Sequence, residues 1–77
     1  MTREEEHCLK QIHDETVTLK AKELAIKRLG EILEETFILD LLPSKALMRA
    51  LEDIAVSKTV ASKLKQKAKA LLKKYRI

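Results

Sequence analysis

The sequence predicts an all-α protein, a compact bundle of four to five helices that forms one domain. Hydrophobic residues make up 45% of the 77 residues and charged residues 36%, a mixture typical of helical domains and not of disordered chains. Gly30 and Pro43 are the only Gly and Pro, so few positions interrupt a helix. Hydrophobic residues recur at intervals of three and four, which is the period of a helix with one buried face.

The first predicted helix covers about residues 3–17. Thr2 is suited to cap it, and Glu5, three residues later, completes a capping box. The helical period places Cys8 and Ile12 on one face and Glu5 off that face. The β-branched residues near position 17 weaken the end of this helix.

The second predicted helix covers about residues 21–35. Leu29 and Leu33 belong to a hydrophobic stripe, and Leu24 and Ile26 widen it, so we expect this helix to be covered on two sides. Gly30 lies inside the helix at a cost of roughly 1 kcal/mol relative to alanine. A residue without a side chain at this position predicts the close approach of another helix.

The central segment TFILDLLPS is less regular. Thr36 is suited to cap a short third helix over about residues 38–42. Pro43 disfavours helical geometry in the residue before it, and Ser44 is suited to cap a fourth helix over about residues 45–56. The alternative is one helix that is kinked at the proline.

The last predicted helix covers about residues 59–76, with Ser57 or Thr59 as its cap. Leu64 and Tyr75 fall on one face together with other hydrophobic residues, while lysines fill the opposite face. All twelve acidic residues precede residue 55, and residues 55–77 contain eight basic residues and no acidic one. The charge is therefore strongly polarised along the chain, although the net charge is only +4.

This basic helix has two interpretations. Lys65, Lys69 and Lys73 are suited to contact phosphates of a nucleic acid. They are also suited to be the solvated face of a core helix, and this interpretation is favoured because aromatic side chains for base stacking are scarce. The aromatic residues are Phe37 and Tyr75, and Tyr75 falls on the hydrophobic face.

The chain lacks the motifs of common enzymes and metal sites, so we expect no catalytic residues, no metal and no cofactor. His7 and His13 lie about 240° apart around a helix and do not converge on one ion. Cys8 has no second cysteine to pair with and is predicted to be a buried small side chain in a reducing, intracellular compartment. Neither a signal peptide nor a membrane span is expected.

Two segments resemble a known family, the N-terminal domain of transcription elongation factor S-II, which has a related integrase-binding variant in lens-epithelium-derived growth factor. The segments are TFILDLLPSKALMRALEDIAV and KAKALLKKYR, within a match that covers about residues 24–76. QIHDE also resembles the first helix of the variant. The family often has tryptophan where this chain has Tyr75. The other matching residues are Thr36, the LDLL segment, Ser44, Leu47, Leu51, Ile54 and the AK-x-LL-K pattern from Ala68.

The resemblance implies a right-handed helical bundle without catalytic activity, which acts in the nucleus as a docking scaffold for transcription elongation and chromatin regulation. Its ligands are short disordered segments with acidic and hydrophobic residues. The variant binds them between two interhelical connectors, of which the first is longer than the one here and the second carries an aromatic residue where this chain has Ser57. By position, the implied peptide-binding residues are Leu19, Lys20, Ala21, Lys22, Val56, Ser57, Lys58, Thr59 and Val60.

Three functions are therefore open. The first is a protein-interaction module, expected to be monomeric, in which Lys20, Lys22 and Lys58 attract acidic residues beside a hydrophobic anchor. The second is a domain that binds nucleic acid weakly through the basic helix. The third is a structural subunit that forms a homodimer through an exposed hydrophobic stripe. A membrane partner is not expected, because the basic helix lacks Trp or Phe on its hydrophobic face.

Overall fold

The structure is a computed structural model that describes residues 2–75. These residues form four α-helices and no strand: α1 (Arg3–His13), α2 (Leu19–Ile38), α3 (Lys45–Val56) and α4 (Ser62–Tyr75). The radius of gyration is 11.6 Å, close to the roughly 11.5 Å expected for a compact chain of this length. The prediction of a compact all-α bundle is confirmed. None of the described helices is both long and apolar enough to span a bilayer.

The four helices form two antiparallel hairpins, which pack together through α2 and α4. In the first hairpin α1 packs on α2, and in the second α3 packs on α4. Along the seam between the hairpins, Gly30 lies beside Leu71, and the rings of Phe37 and Tyr75 meet at a centroid distance of 6.2 Å. From the first contact to the second, the residue number rises on both helices, from 30 to 37 on α2 and from 71 to 75 on α4. The two helices therefore run parallel. The α1–α2 and α3–α4 connectors therefore lie at the same end of the bundle.

The core lies where the hydrophobic stripes of the four helices meet. Cys8 is 5% exposed, as predicted. Both α1 and α4 pack on α2, which confirms that this helix is covered on two sides. Leu24 faces neither neighbour and is 61% exposed, although the sequence pattern placed it on the widened buried face. The largest fully buried side chains are Ile12, Ile26, Leu29, Leu33, Leu47, Leu51, Ile54 and Leu64.

Helix α1 begins with the predicted threonine cap. Thr2 Oγ1 accepts a hydrogen bond of 3.2 Å from the Glu5 backbone N–H. The prediction that Glu5 lies off the buried face is wrong, because residues three and four apart share a face and Glu5 precedes Cys8 and Leu9 by those intervals. Its side chain is 6% exposed, and its Oε2 has no hydrogen-bond partner among the described residues.

The first two helices begin and end at other residues than predicted. α1 ends at His13, not near residue 17, because Asp14 Oδ1 accepts hydrogen bonds from both the backbone N–H and the hydroxyl of Thr16. Such a local turn competes with the helical hydrogen bonds. α2 begins two residues earlier than predicted, because Thr18 Oγ1 caps it by accepting from the Ala21 N–H.

The predicted short helix over residues 38–42 does not form. α2 instead continues through Thr36, whose hydroxyl donates to the Ile32 carbonyl, and ends at Ile38. The Asp40 N–H then donates to Phe37 O and the Leu41 N–H to Thr36 O, with Asp40 at a φ of 58°. These bonds and the left-handed residue form a Schellman motif, which stops the helix. Thr36 therefore caps no helix.

The last two helices differ in how well their ends were predicted. α3 covers Lys45–Val56 as predicted, with Ser44 as its cap, so the segment around Pro43 separates two helices and does not kink one. α4 begins at Ser62, not at residue 59, and neither Ser57 nor Thr59 caps it. The reason is that the Ser57 hydroxyl accepts from the Thr59 N–H in a turn of its own. The predicted end of this helix at residue 76 lies outside the described residues.

We expect Gly30→Ala to raise the free energy of unfolding by up to about 1 kcal/mol, the helix-propensity difference between the two residues. A Cβ at Gly30 would lie 3.1 Å from Leu71 Cδ2, which confirms the predicted close approach. Leu71 is half-buried beside an open groove, so its side chain has space to move by the few tenths of an ångström required. Urea denaturation followed by circular dichroism measures the change. A lower stability would show that Leu71 is held rigidly in place.

Candidate functional site

The nine predicted peptide-binding residues lie at one end of the bundle, which we call the connector end and define by residues 14–22 and 56–61. They share this end because α2 and α4 run parallel and both begin there. At 1.5 Å per helical residue, the start of α2 lies about 27 Å from Phe37 at the other end. The tertiary structure thus brings the two predicted groups of residues to the same end.

The first group belongs to the opening turn of α2 and not to a loop, which corrects the prediction. The cap at Thr18 fixes this start, and the true α1–α2 connector is residues 14–18. A helical start makes these residues a rigid part of the site. Their side chains differ in exposure: Leu19 is 44% exposed, Lys20 is exposed, and Ala21 and Lys22 are half-buried.

The first connector contains two acidic residues, Asp14 and the exposed Glu15. The carboxyl of Asp14 is the one held by hydrogen bonds. Its hydrogen bonds from the hydroxyl and the backbone N–H of Thr16, at 2.7 and 2.9 Å, lower the pKa of this carboxyl, and the nearby charges of Lys22 and Lys10 lower it further. Asp14 is therefore ionised at neutral pH and offsets part of the charge of Lys22. Lys20 is the more exposed cation of this group.

The second group surrounds the tight α3–α4 connector. Val56 ends α3 with 77% of its surface exposed. Ser57 Oγ accepts from the Thr59 N–H at 3.2 Å and lies 3.1 Å from the Thr59 hydroxyl, so a hydrogen-bonded turn presents Lys58 to solvent. Val60 is 8% exposed and belongs to the core. It anchors the connector and offers almost no surface to a ligand.

The predicted phosphate-contacting lysines line the outer side of α4. Lys69 and Lys73 are exposed and Lys65 is half-buried, while the opposite face of the helix is packed in the core through Leu64 and Ala68. Tyr75 is 7% exposed, with Lys74 Nζ 5.3 Å from its ring centre and the edge of Phe37 against it. Its ring is not free to stack on a base.

The far end of the bundle carries an exposed hydrophobic surface that lies outside the predicted sites. Its residues were predicted to form a short helix, and the structure shows them exposed in and after the last turn of α2. Five large hydrophobic residues within six positions are too many for one buried face of a helix, and this was the signal for an exposed surface. We call them the apolar patch: Phe37 (70% exposed), Ile38 (71%), Leu39 (67%), Leu41 (60%) and Leu42 (79%).

The chemical groups suited to catalysis or metal binding are dispersed. Within residues 2–75, no three His, Cys, Asp or Glu side chains converge on a site for an ion. His7 and His13 are both exposed. Burial, and to a smaller extent the charge of Glu4, raises the pKa of the Cys8 thiol, which makes the thiolate scarcer and Cys8 a poor nucleophile.

The connector end thus combines exposed cations with exposed hydrophobic side chains. Comparison with known proteins adds no relative, since no family model, no curated protein and no solved structure matches this chain. The resemblance to the elongation factor S-II domain therefore stays a prediction that rests on the residues quoted for it.

Proposed function

We propose that this protein is a non-enzymatic docking scaffold of the nucleus, which binds short disordered segments of transcription or chromatin proteins through the connector end. The single observation that supports this most is the arrangement of that end. Two exposed hydrophobic side chains, Leu19 and Val56, and two exposed lysines, Lys20 and Lys58, lie at the end of the bundle that the two connectors share. This combination suits a segment with a hydrophobic anchor and flanking acidic residues.

The physical basis of the proposal is a division of roles between the two kinds of side chain. Burial of Leu19 and Val56 against the anchor supplies the hydrophobic part of the affinity. The lysines steer acidic segments toward the site and disfavour basic ones. The rigid start of α2 and the hydrogen-bonded turn at Ser57 reduce the conformational entropy lost on binding. The proposal also includes the right-handed arrangement of the helices that the resemblance implies.

Charge reversal at Lys58 tests this proposal. Lys58→Glu is expected to weaken the binding of an acidic peptide with an aromatic anchor about two- to fivefold, the range of a solvent-exposed ion pair. An NMR titration with such a peptide measures the affinity and shows which amides move. We expect the shifts at residues 19–22 and 56–60. The stability of the variant should barely change, because Lys58 is exposed.

Lys69→Glu is the matched control, since it makes the same charge change at an exposed lysine outside the connector end. It should alter the peptide affinity much less than Lys58→Glu, because salt screens charges that are far apart. Equal losses in both variants would indicate general attraction to a basic protein. Shifts confined to the outer side of α4 would contradict the connector end as the site.

A second candidate function is weak binding of nucleic acid, which the exposed Lys69 and Lys73 and the absence of acidic residues after position 54 favour. Such binding is electrostatic and should fall steeply as salt is added. Titration of labelled duplex DNA at two salt concentrations separates the two functions. Failure to bind at low salt would rule out this candidate and leave the docking proposal unaffected.

A further inference from the structure

The apolar patch exposes about as much hydrophobic surface as the largest patches that monomers leave in water. Five large side chains, each between 60% and 79% exposed, lie within six consecutive residues. Together they present on the order of 600 Å² per chain, at the upper end of the patches seen on monomers. A stable interface takes about 800 Å² from each partner, so this patch and its rim are large enough for one.

The surface of the patch is also uneven, as close packing against a partner requires. A groove of about 390 Å³ runs from Leu42 and Pro43 to Met48 on α3, with Tyr75 in its wall. A second hollow of about 170 Å³ lies on the other side of Leu42, beside Phe37. Leu42, at 79% exposure, stands between the two hollows. The surface therefore contains both protruding side chains and spaces that can receive them.

The charges around the patch identify its occupant. Lys45, Arg49 and Glu52 border the larger groove, and Lys74 borders the smaller one. Asp40 lines the smaller hollow, and Glu34 is exposed one turn before Phe37. A rim with both signs of charge is not matched to a uniformly acidic or basic ligand. It suits a second copy of itself, because a two-fold axis brings two rims of mixed charge together, so that basic residues of one rim face acidic residues of the other.

We propose that the apolar patch is the interface of a two-fold symmetric dimer of this chain. The protruding Phe37 and Leu42 of each chain pack into the hollows of the other, and the rim pairs opposite charges. This replaces the expectation of a monomer. The sequence allowed a homodimer through an exposed hydrophobic stripe but did not say which one. The proposal names the apolar patch as that surface. The connector end lies about 27 Å away, so each dimer keeps two docking sites accessible.

Sedimentation equilibrium of the 77-residue chain over a wide concentration range tests the dimer. The mass is expected to rise from that of one chain, 8.8 kDa, toward twice that value and to stop there. Leu42→Lys should weaken the association roughly tenfold or more, because it removes a central hydrophobic contact and places a charge in the interface. Circular dichroism of the variant checks that the helices remain, which we expect because Leu42 contributes little to the core.

Leu24→Lys is the matched control, since Leu24 is 61% exposed on α2 near the connector end. It should leave the association unchanged. A loss equal to that of Leu42→Lys would place the contact elsewhere and overturn the proposal. A mass of one chain at every concentration would also overturn the proposal. The partner of the patch would then be a different protein. A mass that keeps rising beyond two chains would show open association and exclude the closed dimer.

These outcomes are independent of the proposed docking function. Leu42→Lys should leave the affinity for the acidic peptide unchanged, since that peptide is expected at the connector end. Likewise, Lys58→Glu should leave the mass unchanged. Either proposal can therefore fail while the other stands.

Discussion

Leu51→Ala is expected to lower the free energy of unfolding by about 2–5 kcal/mol, the range for truncating a fully buried leucine. Leu51 is 0% exposed on α3, within the core shared by α3 and α4. The replacement removes three carbon atoms of the side chain and leaves a cavity that the surrounding helices only partly fill. A domain of this size buries a limited core, so this loss is a large part of its total stability.

Urea denaturation followed by far-ultraviolet circular dichroism measures this effect. Leu24→Ala is the control, because it makes the same chemical change on a helix at a side chain that is 61% exposed. It should change stability little, and alanine has the higher helix propensity. Similar losses in both variants would mean that Leu51 is not in the core. A loss well below 2 kcal/mol for Leu51→Ala would mean that the helices collapse around the cavity.

Ala68→Leu is expected to lower the free energy of unfolding by about 1–3 kcal/mol, the typical cost of added side-chain volume in a packed core. Ala68 is 0% exposed in the middle of α4, the helix that packs on both α2 and α3. The added atoms have no space and push helices apart. Contacts elsewhere along α4 would be lost as well, since the seam between the two hairpins includes this helix.

Thermal and urea unfolding of Ala68→Leu and of the control Ala70→Leu test this expectation. Ala70 is exposed on the same helix, two residues further on, so both changes have the same effect on helix propensity. The control should be nearly neutral. If Ala68→Leu were equally neutral, α4 would not be tightly packed at Ala68. That result would contradict the close packing of α4 on α2 described above.

Each of these two experiments compares a buried residue with an exposed residue of the same type. The comparison is informative because hydrophobic residues are common both in the core and on the surface of this chain. Leu51 and Leu24 have the same side chain, and Ala68 and Ala70 differ only in position along one helix. Their expected differences depend on burial and not on residue type. In the sequence, Leu41 and Leu42 taken singly look like any buried leucine, and only the density of hydrophobic residues from Phe37 to Leu42 indicates that some of them are exposed.

Periodic patterns predicted the parts of the fold that local rules control. The spacing of Leu47, Leu51 and Ile54 placed α3 within its observed bounds, and Ser44 marked its start. Cys8 was correctly assigned to the core from its place on the stripe of α1. Gly30 correctly indicated the close approach of another helix, which in the structure is α4. In each case neighbouring residues on one helix carry the information.

The ends of the helices were predicted less well, because alternative hydrogen bonds decide them. Asp14 could extend α1 or bond to Thr16, and the structure shows the second arrangement. Thr36 could cap a new helix or remain inside α2, and the left-handed Asp40 ended α2 instead. Such competing bonds have similar energies, so packing of the whole chain selects between them.

The sequence by itself determined that this chain is helical, which faces of its helices are hydrophobic, and that its basic residues gather in the last third. Helical period and composition are local properties, which the order of residues contains directly. Only the tertiary structure decided that both connectors share one end, that Glu5 is buried and that the apolar patch is exposed at the other end. These facts depend on how helices pack, because burial is a property of the neighbours that a residue acquires and not of the residue itself.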